Sequence, residues 1–300
     1  LALCAALCAS VFNPARVAIV PSLVPPHRLA SSNSLVYASD RVVEILGAVA
    51  GGMLVASVGD AAFFVDAMTF AVSGVLLAFV QPSAAESAAR LPFQPRQLLA
   101  NAVDGVRFLV RHELLFANTT VSLLAQLSVG VSNGLLPVLI FRRFAGGDSE
   151  IGAQQFGVAE AAIAVGAVGM GLVYARIARR KPKGRLLISG WLGYGAALIG
   201  VAAAPTFELL LAVLVIVGIM NVLFFVPNLT ISQELTPPLM RGRVFGARIS
   251  LLSLSWLPIV LFAGGLADLM DASLLIGAAG AFTILVALVA ARISAVRDVS

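Results

Sequence analysis

The chain has 300 residues, of which 60% are apolar and 12% charged, with a mean hydropathy of +0.99 and a formal net charge of +5. So few polar side chains cannot cover a water-soluble globule of this size, so the composition excludes an ordinary soluble domain and makes lipid the solvent. The basic surplus is spread along the chain, which excludes a nucleic-acid footprint and any role for DNA or RNA as partner.

Apolar runs of roughly 20 residues, enough to cross ~30 Å of hydrocarbon at 1.5 Å per residue, recur nine times. Barrel strands would be about half as long and would alternate, so the chain reads as an all-α membrane protein. The first run, 1–20, is interrupted at Asn13-Pro14. It carries Cys4 and Cys8, expected as packing residues because no further Cys or His completes a metal set. The second, 42–59, opens with Asp40, Arg41 and Glu44, and the third, 61–80, holds Asp66 about two turns in from the outside. An amphipathic stretch follows, with Leu98, Leu99, Ala102, Val103, Val106, Leu109 and Val110 at helical spacing, expected as a surface helix whose Arg96, Arg107 and Arg111 reach headgroups. The fourth run, 114–141, contains Asn118, Gln126 and Asn133. The fifth, 156–175, has Glu160 at an outer depth and ends in the basic run 176–185. The sixth is 186–204, and the seventh, 209–231, contains Asn221 and Asn228. The eighth and ninth are 247–267 and 272–291.

Lys and Arg stay on the cytoplasmic side during insertion. Threading nine spans with the carboxyl terminus inside leaves only Arg142 and Arg143 outside; the other eighteen basic residues, Arg248 among them, fall in or beside cytoplasmic segments. Leu1 then lies outside, with neither Met nor a cleavable signal before it, and truncation is the expected cause. The two histidines, His27 and His112, fall in cytoplasmic segments and are expected to be exposed. A repeat is also visible: LVPP at 23–26 returns as LTPP at 235–238, each followed by a glycine pair, Gly51-Gly52 and Gly264-Gly265. This points to a duplicated bundle. The expected organisation is 1–82 as three spans of a first bundle, 83–112 as a cytoplasmic linker, and 113–300 as a second, six-span bundle.

Several stretches carry a family resemblance. NPARVAIVPSLVPPHRLASSNSL at 13–35, FFVDAMTF at 63–70, NAVDGVRFLVRHELLF at 101–116 and RGRVFGAR at 241–248 resemble segments of the major facilitator superfamily, in its drug and siderophore exporter branch. The resemblance aligns the chain with the fourth to twelfth spans of that twelve-helix fold, so that it lacks the first three. GAVAGG at 47–52 resembles the antiporter motif of the fifth span, with Ala48 in place of its proline; Gly47, Gly51 and Gly52 would let a neighbouring helix approach. GLVYARIARRK at 171–181 resembles the superfamily's basic loop motif, with Ala175 in place of its aspartate.

The resemblance implies ion-gradient-driven efflux of a drug, macrolide or siderophore by alternating access, in a bacterial cytoplasmic membrane, by a monomer using protons. No cofactor, metal or catalytic residue is expected, and no nucleotide-binding loop is present in the sequence. The expected solute cavity is lined by Asn118, Gln126, Asn133, Asn221 and Asn228. The expected gate and coupling residues are Asp40, Arg41, Glu44, Asp66, Glu160, Arg176 and Arg179, with Asp40 or Glu44 pairing Arg176 or Arg179 across the bundles. A non-transporting sensor or scaffold, a lipid flippase and an importer are the alternatives.

Overall fold

A computed structural model describes residues 2–79, 98–297 and 299, and every regular element among them is helical. The side chains of Cys4 and Cys8 and residues 80–97, which include Arg96, lie outside what is described. In chain order the helices are α1 (Ala2–Leu23), α2 (Leu29–Val58), α3 (Ala62–Ala78), α4 (Leu98–Arg111), α5 (Glu113–Arg143), α6 (Ser149–Ala178), α7 (Lys183–Ala203), α8 (Phe207–Leu235), α9 (Arg241–Leu269), α10 (Ala272–Arg292) and a short α11 (Ser294–Arg297). Each expected span coincides with one of α1–α3 or α5–α10. Five of them, α5, α6, α7, α8 and α10, are by length and apolarity alone fit to cross a membrane, and α3 is a shorter apolar helix. Exposed Phe63, Phe64, Met68, Phe70 and Phe79 on α3 fit a lipid surround rather than water.

The Pro-Pro repeat folds twice into the same shape. Pro25 (φ −61°, ψ 148°) and Pro237 (φ −57°, ψ 146°) each stop a helix, because the ring denies the preceding turn its geometry and removes a donor. A single 3₁₀ turn follows in both, Pro26–Arg28 and Pro238–Met240, closed by Arg28 N–H to Pro25 O and Met240 N–H to Pro237 O, both at 2.9 Å. A long helix then starts at once. The pairs α1–α2 and α8–α9 are therefore copies of one unit, and they pack reciprocally: α1 lies against α9, and α2 against α8.

Helices α5–α10 pack as one group. Trp191 of α7 stacks on Phe224 of α8 with centroids 4.0 Å apart, and Tyr194 meets the same ring edge-on at 5.3 Å. That proximity requires Gly190, where a Cβ would sit 2.6 Å from the Phe224 nitrogen. Helix α4 docks on the start of α9 through buried Leu109 and through Asp104, which accepts from Arg243 at 3.4 Å. Val103, Val106 and Val110 remain exposed on its other side. The expected surface helix thus has two apolar faces, one packed on protein and one free to enter the membrane boundary.

Three expectations change. Helix α1 runs through Asn13-Pro14 without a break. His112 is half-buried, and its Nδ1 accepts from Leu115 N–H at 3.3 Å to cap α5. Helix α2 begins at Leu29, thirteen residues before the apolar run at 42, because its polar opening turns, with Ser31, Ser32, Asn33 and Ser34, are stabilised by packing on α8 rather than by lipid. Asp40, Arg41 and Glu44 therefore sit within a 30-residue helix, not at its mouth. Helix α6 starts at Ser149, so Glu160 lies about 17 Å along its axis.

Candidate functional site

The end of the assembly that carries Arg28, Arg111, the run 176–185 and Arg241 is here called the basic end. There the α1–α2 unit is hydrogen-bonded to α8. Asn33, 3% exposed, donates from Nδ2 to Thr230 Oγ1 at 2.9 Å and to Gln233 Oε1 at 2.6 Å. Gln233 in turn donates from Nε2 to the Val17 carbonyl of α1 at 2.9 Å. Further along, Tyr37 Oη bonds Asn221 Oδ1 at 2.8 Å, and its ring packs on Phe225 at 4.8 Å. Helix α2 also presses on α6: a Cβ at Gly171 would lie 2.7 Å from the Ala38 Cβ and 3.2 Å from the Ser34 carbonyl. The contact is neutral, short-ranged and mostly buried, so its strength does not depend on salt.

A charged group lies deeper, one turn beyond Tyr37. Arg41 sits over the Tyr37 ring at 5.2 Å and pairs with Glu44 at 2.7 Å. Half-buried Glu160 of α6 faces both within electrostatic range. The structure thus brings Arg41, Glu44 and Glu160 together across the two units, next to Asn221.

The expected cross-bundle ion pairs take another form. Asp40 accepts both terminal nitrogens of Arg16, at 3.0 and 2.8 Å, tying α1 to α2 inside one unit. Arg176 and Arg179 are exposed at the basic end and bond neither Asp40 nor Glu44. The reason is register: Asp40 lies about 16 Å up α2, beyond reach of that end. Asp66 is exposed on α3, away from this group. A Cβ at Gly47 or Gly51 would meet nothing within 4 Å, so no described helix uses these glycines for close approach; Gly52 lies on the same helix.

The five expected cavity residues divide. Asn118 and Asn228 are buried and bonded to each other, Asn228 Nδ2 donating to Asn118 Oδ1 at 2.9 Å and to Ser122 Oγ at 2.6 Å. Asn118 Nδ2 donates to the Asn228 carbonyl at 3.2 Å and to Ser232 Oγ at 3.0 Å. Asn221 is held by Tyr37. Gln126 is half-buried and Asn133 exposed. At 100° per residue Thr119, Ser122, Gln126 and Asn133 fall on one stripe of α5. Into the foot of that stripe comes a residue missed in the sequence: Arg248 of α9, 5% exposed, donates from Nη2 to Ser122 Oγ at 3.2 Å and to Asn228 Oδ1. Read as a flanking cytoplasmic cation, it is instead two turns inside α9. The signal available was its position eight residues past the Pro-Pro turn's end, in an unbroken helical run.

A cleft of about 940 Å³ lies at the opposite end between α5, α7 and α10, beside Arg142, Arg143 and Asp271. A smaller apolar one, about 240 Å³, continues between α5 and α10 along Leu127, Val131 and Phe282. Both sit on the side of α5 away from the polar stripe, so neither cleft is lined by that stripe.

Long apolar helices and a duplicated helix pair packed reciprocally define a polytopic helical membrane protein. The chain belongs to the Major Facilitator Superfamily, whose sequence profile matches residues 1–258. It is 27% identical over 293 residues to YfiS of Bacillus subtilis, an uncharacterized MFS-type transporter, covering 93% of this chain and 67% of that protein. It is also 27% identical over 234 residues to y4rN of Sinorhizobium fredii, another uncharacterized MFS-type transporter, covering 77% of this chain and 56% of that one. The chain thus spans between about half and two thirds of the length of these relatives.

Proposed function

We propose that the protein is a secondary active transporter that exports a small molecule, of the drug, macrolide or siderophore kind, from a bacterial cytoplasm by alternating access driven by an ion gradient, in the first instance protons. Residues 1–82 and 113–300 act as two bundles joined by 83–112, and the basic end is cytoplasmic. The observation that carries the reading is the hydrogen-bonded contact of Asn33 with Thr230 and Gln233, and of Gln233 with Val17, which joins the copies of one repeat at the basic end. In a rocking-bundle mechanism this contact closes the cytoplasmic side, and its rupture opens it. Such a gate suits a switch: it is made of a few neutral bonds worth about 1 kcal/mol each, so a coupling ion or solute can outweigh it. Arg41, Glu44 and Glu160 are the coupling group, since a proton on either carboxylate changes the charge held between the units.

The test is flux. In everted vesicles carrying the full-length protein, an imposed proton gradient should drive accumulation of at least one drug, macrolide or siderophore, and an uncoupler should abolish it. Ligand-dependent stabilisation of the purified protein without gradient-driven flux would instead make it a sensor.

A further inference from the structure

Among the described residues Arg248 has no acidic partner. Its guanidinium is 5% exposed, its Nη2 bonds only a hydroxyl and an amide oxygen, and its Nε meets no acceptor. Thr119 Oγ1, on the adjoining turn of α5, is likewise buried without a partner. A cation inside a span is costly to insert, so a chain keeps one there for what it binds.

The repeat sharpens the point. Shifting by the 212 residues that separate LVPP from LTPP puts Arg16 of α1 on Asn228 of α8. In the first copy the α1–α2 contact is a complete ion pair, Arg16 with Asp40. In the second copy Leu252 stands at the place of Asp40, and Asn228 meets Arg248, a cation facing an amide, which corresponds to Val36 of the first copy. The positive charge in the second unit is therefore not half of a repeated ion pair but a feature of that copy alone.

Its setting supplies the route. Exposed Asn133, half-buried Gln126 and buried Ser122 descend one stripe of α5 and end on Arg248, so polar side chains lead from open surface to the guanidinium. Across α8 from this cluster lies the gate, since Thr230 and Gln233 bond Asn33 while Asn228 and Ser232 bond Asn118. The floor of the path and the gate therefore share one stretch of helix.

We propose that Arg248 is the solute-binding cation at the floor of this path, and that the transported solute carries an anionic group, a carboxylate or phosphate, which Arg248 holds. The assignment rests on the transporter reading above and narrows its substrate class to anions. Binding there replaces the Asn228 oxygen as partner of the guanidinium and frees α8 to move.

The experiment uses the full-length protein in liposomes, with Cys4→Ser, Cys8→Ser and Gln126→Cys. Labelling rates are compared for a sulfonate-bearing and a trimethylammonium-bearing methanethiosulfonate. With Arg248 intact the sulfonate should react about tenfold faster relative to free thiol, the effect of a unit charge acting over roughly 10 Å in a partly screened site. Benzoate or phosphate should slow the reaction while benzamide does not. Arg248→Lys should keep the preference and Arg248→Gln should remove it. Equal rates for the two reagents, or no protection by either benzoate or phosphate, overturn the proposal without any change at Arg248, so a misfolded Arg248→Gln protein cannot rescue it. Survival of the preference in a folded Arg248→Gln protein also overturns it. Gradient-driven flux by the unsubstituted full-length protein in parallel liposomes reports separately on the transporter reading.

Discussion

Substituting Gly171 by Ala places a methyl group where α2 presses on α6. The added Cβ would lie 2.7 Å from the Ala38 Cβ and 3.2 Å from the Ser34 carbonyl, both on stretches of helix that cannot yield as a flexible side chain would. Overpacking of this kind costs about 1 to 3 kcal/mol. The cost falls only on the conformation in which α2 and α6 touch, so the closed-to-open ratio at the basic end should fall by a factor of about 5 to 150. Spin labels at Arg28→Cys and Leu239→Cys, both exposed in the two Pro-Pro turns, report this as a longer distance gaining population in a pulsed electron–electron measurement. Gly51→Ala is the matched control: its Cβ meets nothing within 4 Å, so the distribution should not move, and the helix gains up to about 1 kcal/mol in propensity. An unchanged distance distribution in Gly171→Ala, or an equal change in both variants, would refute the claim that this glycine sets the closed packing.

Asn33→Ala removes one donor from two buried acceptors, and should cost the closed state about 1 to 3 kcal/mol, read as the same gain of the long distance. Asp40→Arg should weaken flux, and reversal at Arg16 to Asp should restore it, whereas reversal at Arg176 should not; recovery with Arg176 instead would contradict the pairing described. The exposed Arg16–Asp40 pair is worth no more than about 1 kcal/mol in thermal unfolding. At the turn before α10, hydrogen bonds from Ser273, side chain first and then backbone, hold the Asp271 carboxyl below the usual carboxylate range. A folded-state value below the unfolded one means that this cap contributes above the unfolded value and is lost as pH falls through the folded one. Asp271→Asn, still a good cap, should therefore flatten the acid limb of the unfolding profile while leaving neutral stability nearly unchanged.

The helices were legible because hydropathy reads lipid contact directly, and the duplication was legible in LVPP and LTPP because two prolines dictate one backbone turn. Helix ends were not. Leu29 to Arg41 is largely polar, and its helix is held by α8, a tertiary contact no local pattern encodes; that Asp40 and Glu44 lie inside a helix rather than at its start follows from that contact. The glycines divide on the same ground. Gly47 and Gly51 resemble a packing motif, yet a Cβ there would meet no described atom within 4 Å, whereas at Gly171, which opens the basic loop motif, and at Gly190 a Cβ would come within 3 Å of a neighbouring helix. Arg248 was assigned to the cytoplasmic flank because counting charges near span ends cannot tell a cation beside a helix mouth from one turned inward two turns later. Asn118 and Asn228 were recognised as polar residues at membrane depth, but that they bond each other emerges only from the packing of α5 on α8 and α9.

The central claim is that the contact between the α1–α2 unit and α8 opens and closes during transport. A disulfide between Asn33→Cys and Thr230→Cys, formed in vesicles that carry the full-length protein, tests it most directly. The expected result is that oxidation stops gradient-driven flux and reduction restores it. Full-rate transport with the disulfide intact would contradict the account.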